Sequence, residues 1–135
     1  MIKTTIEFTD STIRELLICA LEGGSNYWCL LKSLTYAENV GPEDFEEEGE
    51  LWADGWELPY ALPFVAGCAL VIGDAEDPDD HTKNKHLDRG LIEGGLQLMA
   101  EKRPKVFADI LADKIDADTG DIFLQYCLFG EVIYG

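Results

Sequence analysis

Three polar side chains near the end of the chain are spaced so that they could contact one ligand. Asp118, Asp121 and Gln125 stand at i, i+3 and i+7, which places them on one face of a predicted helix. Two carboxylates and an amide on one face could hydrogen-bond ribose hydroxyls or an amine. The same residues also suit structural roles as N-cap, first-turn acid and exposed glutamine, so the spacing leaves both interpretations open.

A second candidate set follows the first predicted helix. Asn26, Tyr27 and Trp28 come directly after the pair Gly23-Gly24. Aromatic rings beside an amide can stack on a planar ligand and hydrogen-bond its edge. A glycine C-cap followed by core aromatics explains the same residues without a ligand. Tyr134, close to the last residue of the sequence, is a further candidate for ligand binding.

The loop from Asp74 to His86 is rich in carboxylates, which are the ligands of Ca²⁺ and Mg²⁺. It lacks the central glycine of an EF-hand, and its twelfth position is Lys85 instead of glutamate. We predict no metal site and no cofactor. None of the serines lies in a G-x-S-x-G turn, so we predict no enzyme activity, while a metal-dependent hydrolase stays open as a third hypothesis.

The formal charge of −17, from 27 acidic and 10 basic residues, is unevenly distributed along the chain of 135 residues. Residues 38–80 contain 14 acids and no Lys or Arg, whereas residues 83–105 contain six bases and three acids. This balance argues against direct nucleic-acid binding and against docking on an anionic membrane. The acidic region is either a solvated surface or a face that docks on a basic partner.

Helical and strand periodicities alternate along the sequence. Ile2, Ile6 and Phe8 share one parity and predict a short first strand, followed by a helix over 12–22 that ends at the two glycines. The later predictions are a strand or helix at 26–36, acidic loops at 38–50 and 73–85, strands at 51–60 and 65–72, and helices over 87–102, from 104, and from 118 or 119 to 130. These elements predict a single α+β domain over 1–135, with a small antiparallel sheet packed by three to four helices.

Side-chain patterns within these elements give further expectations. Leu91, Leu98 and Met99 are expected to face the core from the helix over 87–102, and the glycines within that helix require close packing or a break. We expect residues 131–135 to be tucked against the protein as an edge strand.

The four cysteines have no C-x-x-C spacing and lie among apolar neighbours, which favours reduced, buried thiols. The first residues lack the apolar stretch of a signal peptide, and the longest apolar run, 61–72, is too short to span a bilayer. We therefore expect a cytoplasmic protein.

Two segments together resemble a known group of proteins. Residues 22–28 read EGGSNYW, and residues 116–135 read DADTGDIFLQYCLFGEVIYG. The chain resembles a widespread group of small uncharacterised proteins from bacteriophages and prophages, which pair an EGG-x-x-YW segment with a closing DAD-x-x-D…Q…LFGE-x-x-YG segment. The resemblance implies a phage context and candidate positions, and it implies no chemistry. Gly120 departs from the alanine expected there, which should loosen the first turn of the last helix.

The first functional hypothesis is a phage-encoded, non-catalytic binding protein for a small nucleotide-like ligand. Such a protein, in the cytosol of the host cell, could sequester an immune signal and so counter host defence. Arg89, Lys102, Arg103 and Lys105 would neutralise the phosphate groups. Binding at a seam between identical subunits is compatible with this hypothesis, so a homo-oligomer stays open.

The alternative hypothesis is an acidic, DNA-mimic-like inhibitor of a nucleic-acid-binding defence enzyme of the host. In that case residues 38–80 would imitate a phosphate array and dock on a basic host protein.

Overall fold

A three-stranded antiparallel sheet, with helices packed around it, forms the part of the chain that this computed structural model describes, residues 1–41, 44 and 58–135. The strands are β1 Cys29–Thr35, β2 Ala69–Asp74 and β3 Lys85–Leu87. The helices are α1 Asp10–Cys19, α2 Leu58–Ala61, α3 Arg89–Lys102, α4 Pro104–Leu111 and α5 Ala117–Phe129. The predicted α+β class with a small antiparallel sheet is confirmed.

β2 is the central strand, in the order β1-β2-β3. Its residues 69–73 are buried, as the near-continuous apolar run predicts. Leu30 pairs with Gly73, and Leu70 pairs with Leu87. The strand begins later than predicted because Val65–Cys68 form a turn, in which Gly67 takes the left-handed φ of +83°.

α5 is the helix on which both α1 and α3 pack. Its Phe123 and Leu124 are fully buried with Leu16, Leu17 and Met99. Burying a large apolar side chain contributes roughly 1.5–3 kcal/mol, so this cluster is a major source of stability.

Two glycines allow the helices to approach α5 closely. A Cβ on Gly95 would lie 2.8 Å from the main-chain nitrogen of Cys127, and a Cβ on Gly120 would lie 2.7 Å from that of Ala20. α3 stays continuous through Gly95, so close packing is what compensates for the glycine. Gly120 does not loosen α5: it is buried against the end of α1, where alanine would collide.

α1 begins two residues earlier than predicted, with Thr9 as the N-cap whose hydroxyl accepts the Thr12 N–H. The helix then widens into a π turn over Ala20–Gly24. Gly23 and Gly24 do not adopt the left-handed conformation predicted for them. Gly24 is required for another reason, because a Cβ there would collide with the carbonyl oxygen of Ala117.

The predicted first strand is wrong: residues 1–9 have no regular secondary structure. A strand needs a neighbouring strand to satisfy its main-chain groups, and the alternation of side chains alone does not supply one. Phe8 instead packs edge-on against Phe107 of α4, with ring centroids 5.7 Å apart.

The orientation predicted for α3 is partly wrong. Leu91 is 37% exposed and Leu98 is half-buried, whereas Ile92, Leu96 and Met99 face the core. Three glycines leave too few apolar side chains to define the helical face from sequence. The periodicity of α4 predicts a core face of Val106, Phe107, Ile110 and Leu111. Phe107 and Ile110 are buried, but Val106 is only partly buried and Leu111 is 51% exposed.

The ends of α5 are set by Asp116 and Gly130. The Asp116 carboxylate caps the helix by accepting the Thr119 N–H, so the predicted caps at Asp118 or Thr119 are wrong by two or three residues. Gly130 ends the helix with a φ of +73°, as predicted. Residues 131–135 are held against the protein but form no strand.

The remaining predictions fall mainly on undescribed residues. The acidic loop over 38–50 and the strand over 51–60 lie largely outside the described residues, and Leu58–Ala61 form a helical turn. Across the described ranges, no helix is both long and apolar enough to cross a membrane.

Adjacent glycines of α3 provide a test of this packing. We expect Gly95→Ala to lower the free energy of unfolding by about 1–3 kcal/mol, because its Cβ collides with the backbone of α5. Gly94→Ala meets no atom within 4 Å and should raise stability by about 0.5–1 kcal/mol through helix propensity. Urea unfolding of both variants measures the difference, and equal effects would contradict the packing argument.

Candidate functional site

The carboxylate of Asp121 is where the two recognised sequence segments meet. Its Oδ1 accepts hydrogen bonds from Ser25 Oγ at 2.8 Å, from Trp28 Nε1 at 2.7 Å and from Gln125 Nε2 at 3.2 Å. Its Oδ2 accepts one from the Tyr27 hydroxyl at 2.7 Å. We refer to these five residues as the Asp121 hub.

Close packing between α1 and α5 positions the hub. The π turn that ends α1 contacts α5 through Gly24 and Gly120, both without room for a Cβ. This brings the turn before β1, which carries Ser25 to Trp28, alongside the second turn of α5. Ser25 is fully buried, so its hydroxyl depends on Asp121 for a partner.

Gln125 connects the hub to the last residues of the sequence. Its Oε1 accepts the main-chain N–H groups of Ile133 and Tyr134, each at 2.8 Å. Its Nε2 donates to Asp121 and to the carbonyl oxygen of Tyr134. The side chain is fully buried and makes all four hydrogen bonds available to an amide.

An aromatic stack completes the connection. The rings of Trp28 and Tyr134 lie nearly parallel, with centroids 4.9 Å apart and planes 8° apart. Phe129, at the end of α5, packs at a tilt against both rings. Residues 131–135 are thus held by main-chain hydrogen bonds on one side and by ring stacking on the other.

The structure brings together five of the predicted site residues: Tyr27, Trp28, Asp121, Gln125 and Tyr134. The other three lie elsewhere. Asn26 and Asp118 are exposed and belong to no hub hydrogen bond, and Arg89 pairs with Glu93 on α3. Ligand binding by these residues stays a prediction.

The hub residues use their hydrogen-bonding capacity on one another. A carboxylate offers about four lone-pair sites, and Asp121 receives four donors. A ligand that bound directly to Oδ1 of Asp121 or to the amide of Gln125 would have to displace one of these bonds, whereas Oδ2 accepts only the Tyr27 hydroxyl. The geometry therefore assigns the hub a structural role, in which it joins α5, the turn before β1 and the final residues.

An open groove lies next to the hub. Its volume is about 470 Å³, within the range of small-molecule sites. Trp28, Phe129 and Tyr134 contribute an aromatic side, and Lys83 and Lys85 contribute a cationic side. The C-terminal end of β2, Ile72 to Asp74, completes the lining with Thr82 and Leu128.

The two lysines of the groove differ in their pairing. Lys83 forms ion pairs with Asp77 at 3.3 Å and Asp74 at 3.9 Å, and the hydrogen bond to Asp77 raises its pKa. Lys85 is exposed and has no ion-pair partner among the described residues. Between them, Oδ1 of Asn84 is a buried acceptor without a donor in the described part of the chain.

The buried cysteines Cys29 and Cys127 are not activated as nucleophiles. All four cysteines are free thiols, and Cys29, Cys68 and Cys127 are buried. Burial, with a smaller effect of the Asp121 charge, raises the pKa of Cys29 to about 12, and burial also raises that of Cys127. A thiol with such a pKa is protonated at neutral pH, which disfavours covalent catalysis through it. Within the described ranges, no group of three His, Cys, Asp or Glu side chains is placed to hold a metal ion.

Sequence reasoning missed Ser25 and the two groove lysines. Ser25 lies within the recognised segment, but its burial depends on the contact between α1 and α5. Lys83 and Lys85 are the first basic residues after the acidic region. This change of charge in the sequence is the signal that could have identified them as candidate site residues. Arg89 was predicted instead, on the same basic segment.

Comparison of the chain with protein-family models, with curated proteins and with solved structures gave no match.

The hub predicts a large difference between two aspartates of α5. Asp121→Asn replaces an acceptor by an amide whose NH₂ faces donors, so we expect a loss of about 3 kcal/mol in unfolding free energy. Asp118→Asn removes an exposed charge from the first turn and should cost no more than ~0.5 kcal/mol. Chemical denaturation distinguishes these values, and a small effect of Asp121→Asn would contradict the structural role of the hub.

The hub also predicts an alkaline pH dependence. Desolvation, followed by the hydrogen bond to Asp121, raises the pKa of Tyr27 from 10.0 to about 12. The folded state therefore favours the neutral phenol, and this stabilisation is complete below pH 10 and is lost as the pH rises towards 12. We expect unfolding free energy to fall more steeply over this range in the wild type than in Tyr27→Phe. Parallel slopes in denaturation at several pH values would disprove the coupling.

Proposed function

We propose that the protein is a non-catalytic binding protein for a small nucleotide-like ligand, which lies in the groove next to the hub. The observation that carries the proposal is the pairing of an aromatic side, Trp28, Phe129 and Tyr134, with a cationic side, Lys83 and Lys85. In line with the sequence resemblance, we propose that it is phage-encoded, acts in the host cytosol and counters defence by sequestering a signal molecule.

The chemistry of the groove suits a base joined to phosphate. Aromatic rings stack on a nucleobase regardless of its identity, and a lysine ammonium binds phosphate as a point charge. Lys85 is the better candidate for phosphate because Lys83 already pairs with Asp74 and Asp77.

The hub contributes to this site by holding its aromatic side rigid. Trp28 is fixed through Nε1 to Asp121, and Tyr134 is fixed through its main chain to Gln125. A preorganised ring loses little freedom when a ligand stacks on it, so rigid aromatics favour affinity. The hub residues therefore support the ligand indirectly. Tyr134, which is half-buried, is the predicted site residue expected to touch it, because Trp28 is only 5% exposed and already stacks on Tyr134.

Isothermal titration calorimetry with cyclic dinucleotides and ADP-ribose derivatives tests the proposal. We expect binding by at least one of these compounds and about tenfold weaker binding by Lys85→Gln, which removes the unpaired charge of the groove. Lys114→Gln is the matched control, because Lys114 is an exposed lysine that does not line the groove. Absence of binding by every compound, or equal effects of the two variants, would overturn the proposal.

The acidic inhibitor is a second candidate, favoured by the 14 acids without a Lys or Arg over residues 38–80. Electrostatic docking on a basic protein is screened by salt. The described acids of this region include Asp74 and Asp77, which Lys83 partly neutralises. The groove is the preferred candidate because the structure describes the positions of its aromatic and lysine side chains.

A pull-down from host lysate separates the two candidates. The inhibitor hypothesis predicts recovery of a basic protein at low salt and its loss at high salt. Failure to recover such a partner at low salt would contradict the inhibitor hypothesis without affecting the groove proposal.

A further inference from the structure

Residues 2–8, which we call the N-terminal segment, lie unpaired on the surface. Within the described part of the chain, none of their main-chain groups forms a hydrogen bond. Phe8 is half-buried against Phe107, but Ile2 and Ile6 are 93% and 53% exposed. A segment whose main-chain groups have no partner among the described residues, and whose apolar side chains are uncovered, is a template for another strand.

The side chains of the N-terminal segment alternate strictly in character. In an extended chain, Ile2, Thr4, Ile6 and Phe8 share one face, and Lys3, Thr5 and Glu7 share the other. One face is therefore mainly apolar and the other is polar, which is the pattern of a half-buried strand.

The segment is complementary to itself in an antiparallel arrangement. If two copies pair about Thr5, Lys3 of each copy lies opposite Glu7 of the other, and Ile2 lies opposite Phe8. Opposite charges and apolar pairs directly across strands both stabilise a sheet. A parallel pairing in register would instead place like charges side by side, so the charges specify the antiparallel direction.

Charge distribution also favours contact through this part of the molecule. Two chains of charge −17 repel each other overall. Residues 1–14, however, contain two bases and two acids, so this stretch is neutral. Two copies can approach here with less repulsion than at the acidic region over 38–80.

A groove beneath the segment offers apolar surface to a second copy. Its volume is about 750 Å³, and Phe8, Phe64, Ile92, Leu96 and Phe107 contribute to its lining. A two-stranded ribbon alone is only marginally stable in water, so it needs such a surface. In the antiparallel pairing, Ile2 of the second copy lies beside Phe8, at this groove.

We propose that the N-terminal segment pairs with the same segment of a second copy of this chain, forming a twofold antiparallel ribbon and a homodimer. Each copy contributes the same patch, as a closed twofold interface requires. The pairing satisfies main-chain groups that are otherwise left to solvent and covers Ile2 and Ile6.

Charge reversal of the full chain tests both the dimer and its direction. Analytical ultracentrifugation over a concentration series should give wild-type particles of twice the 15.0 kDa chain mass. Lys3→Glu and Glu7→Lys should each be monomeric, because each places like charges across the ribbon twice. The double variant Lys3→Glu/Glu7→Lys restores both opposite-charge pairs and should be dimeric again.

Two results would overturn the proposal: a monomeric wild type at every concentration, or a double variant as monomeric as the single ones. Circular dichroism of each variant establishes that it is folded, which residues 2–8 should not affect since they form no regular element.

A crosslink provides an independent measurement. Thr5→Cys places one thiol of each copy next to the twofold axis, so oxidised glutathione should convert it to a disulfide-linked dimer. Ser11→Cys, in the first turn of α1, is the control and should show only the monomer mass in denaturing, non-reducing electrophoresis, where the Thr5→Cys dimer survives. Equal crosslinking of the two variants would contradict the predicted pairing.

Discussion

The carboxylate of Asp121 holds together three parts of the chain that are far apart in sequence. Its donors come from the turn before β1 and from α5, and through Gln125 it is connected to residues 131–135. Buried donors such as Ser25 Oγ and the indole N–H of Trp28 need an acceptor, and one carboxylate supplies it for both. The aromatic side of the groove exists because this interaction fixes Trp28 and Tyr134.

Close contact between helices makes the hub possible. Gly24 and Gly120 let the end of α1 lie against the first turns of α5, and Gly95 lets α3 pack against α5 further along, at Cys127. A methyl group at any of these positions would push the helices apart, and hydrogen bonds of 2.7–2.8 Å tolerate little displacement. The hydrogen bonds of the hub therefore depend on helix packing, because the glycines set the separation of the helices at which these bonds can form.

Much of the fold could be predicted because local signals agreed with it. The apolar run containing β2, the Pro104 start of α4 and the Gly130 end of α5 follow from periodicity and from the backbone preferences of proline and glycine. The strand predicted at the start of the chain is wrong. Apolar and polar side chains do alternate there, but no neighbouring strand is present within the described residues to pair with it. The buried face of α3 was predicted incorrectly, because glycines at 90, 94 and 95 stand where apolar side chains would define the helical period.

The sequence by itself determined which two segments carry the candidate site, since residues 22–28 and 116–135 contain every member of the Asp121 hub. It also determined where charge is concentrated, with 14 acids over residues 38–80 and a net basic stretch after them. Only the tertiary structure decided what those residues do. Gln125 forms its hydrogen bonds with Asp121 and with the main chain of Ile133 and Tyr134. Asp121 accepts from buried donors because α1 and α5 approach each other closely. The open groove beside them depends on Lys83 and Lys85, which come near the aromatic rings through strand pairing that no local pattern encodes.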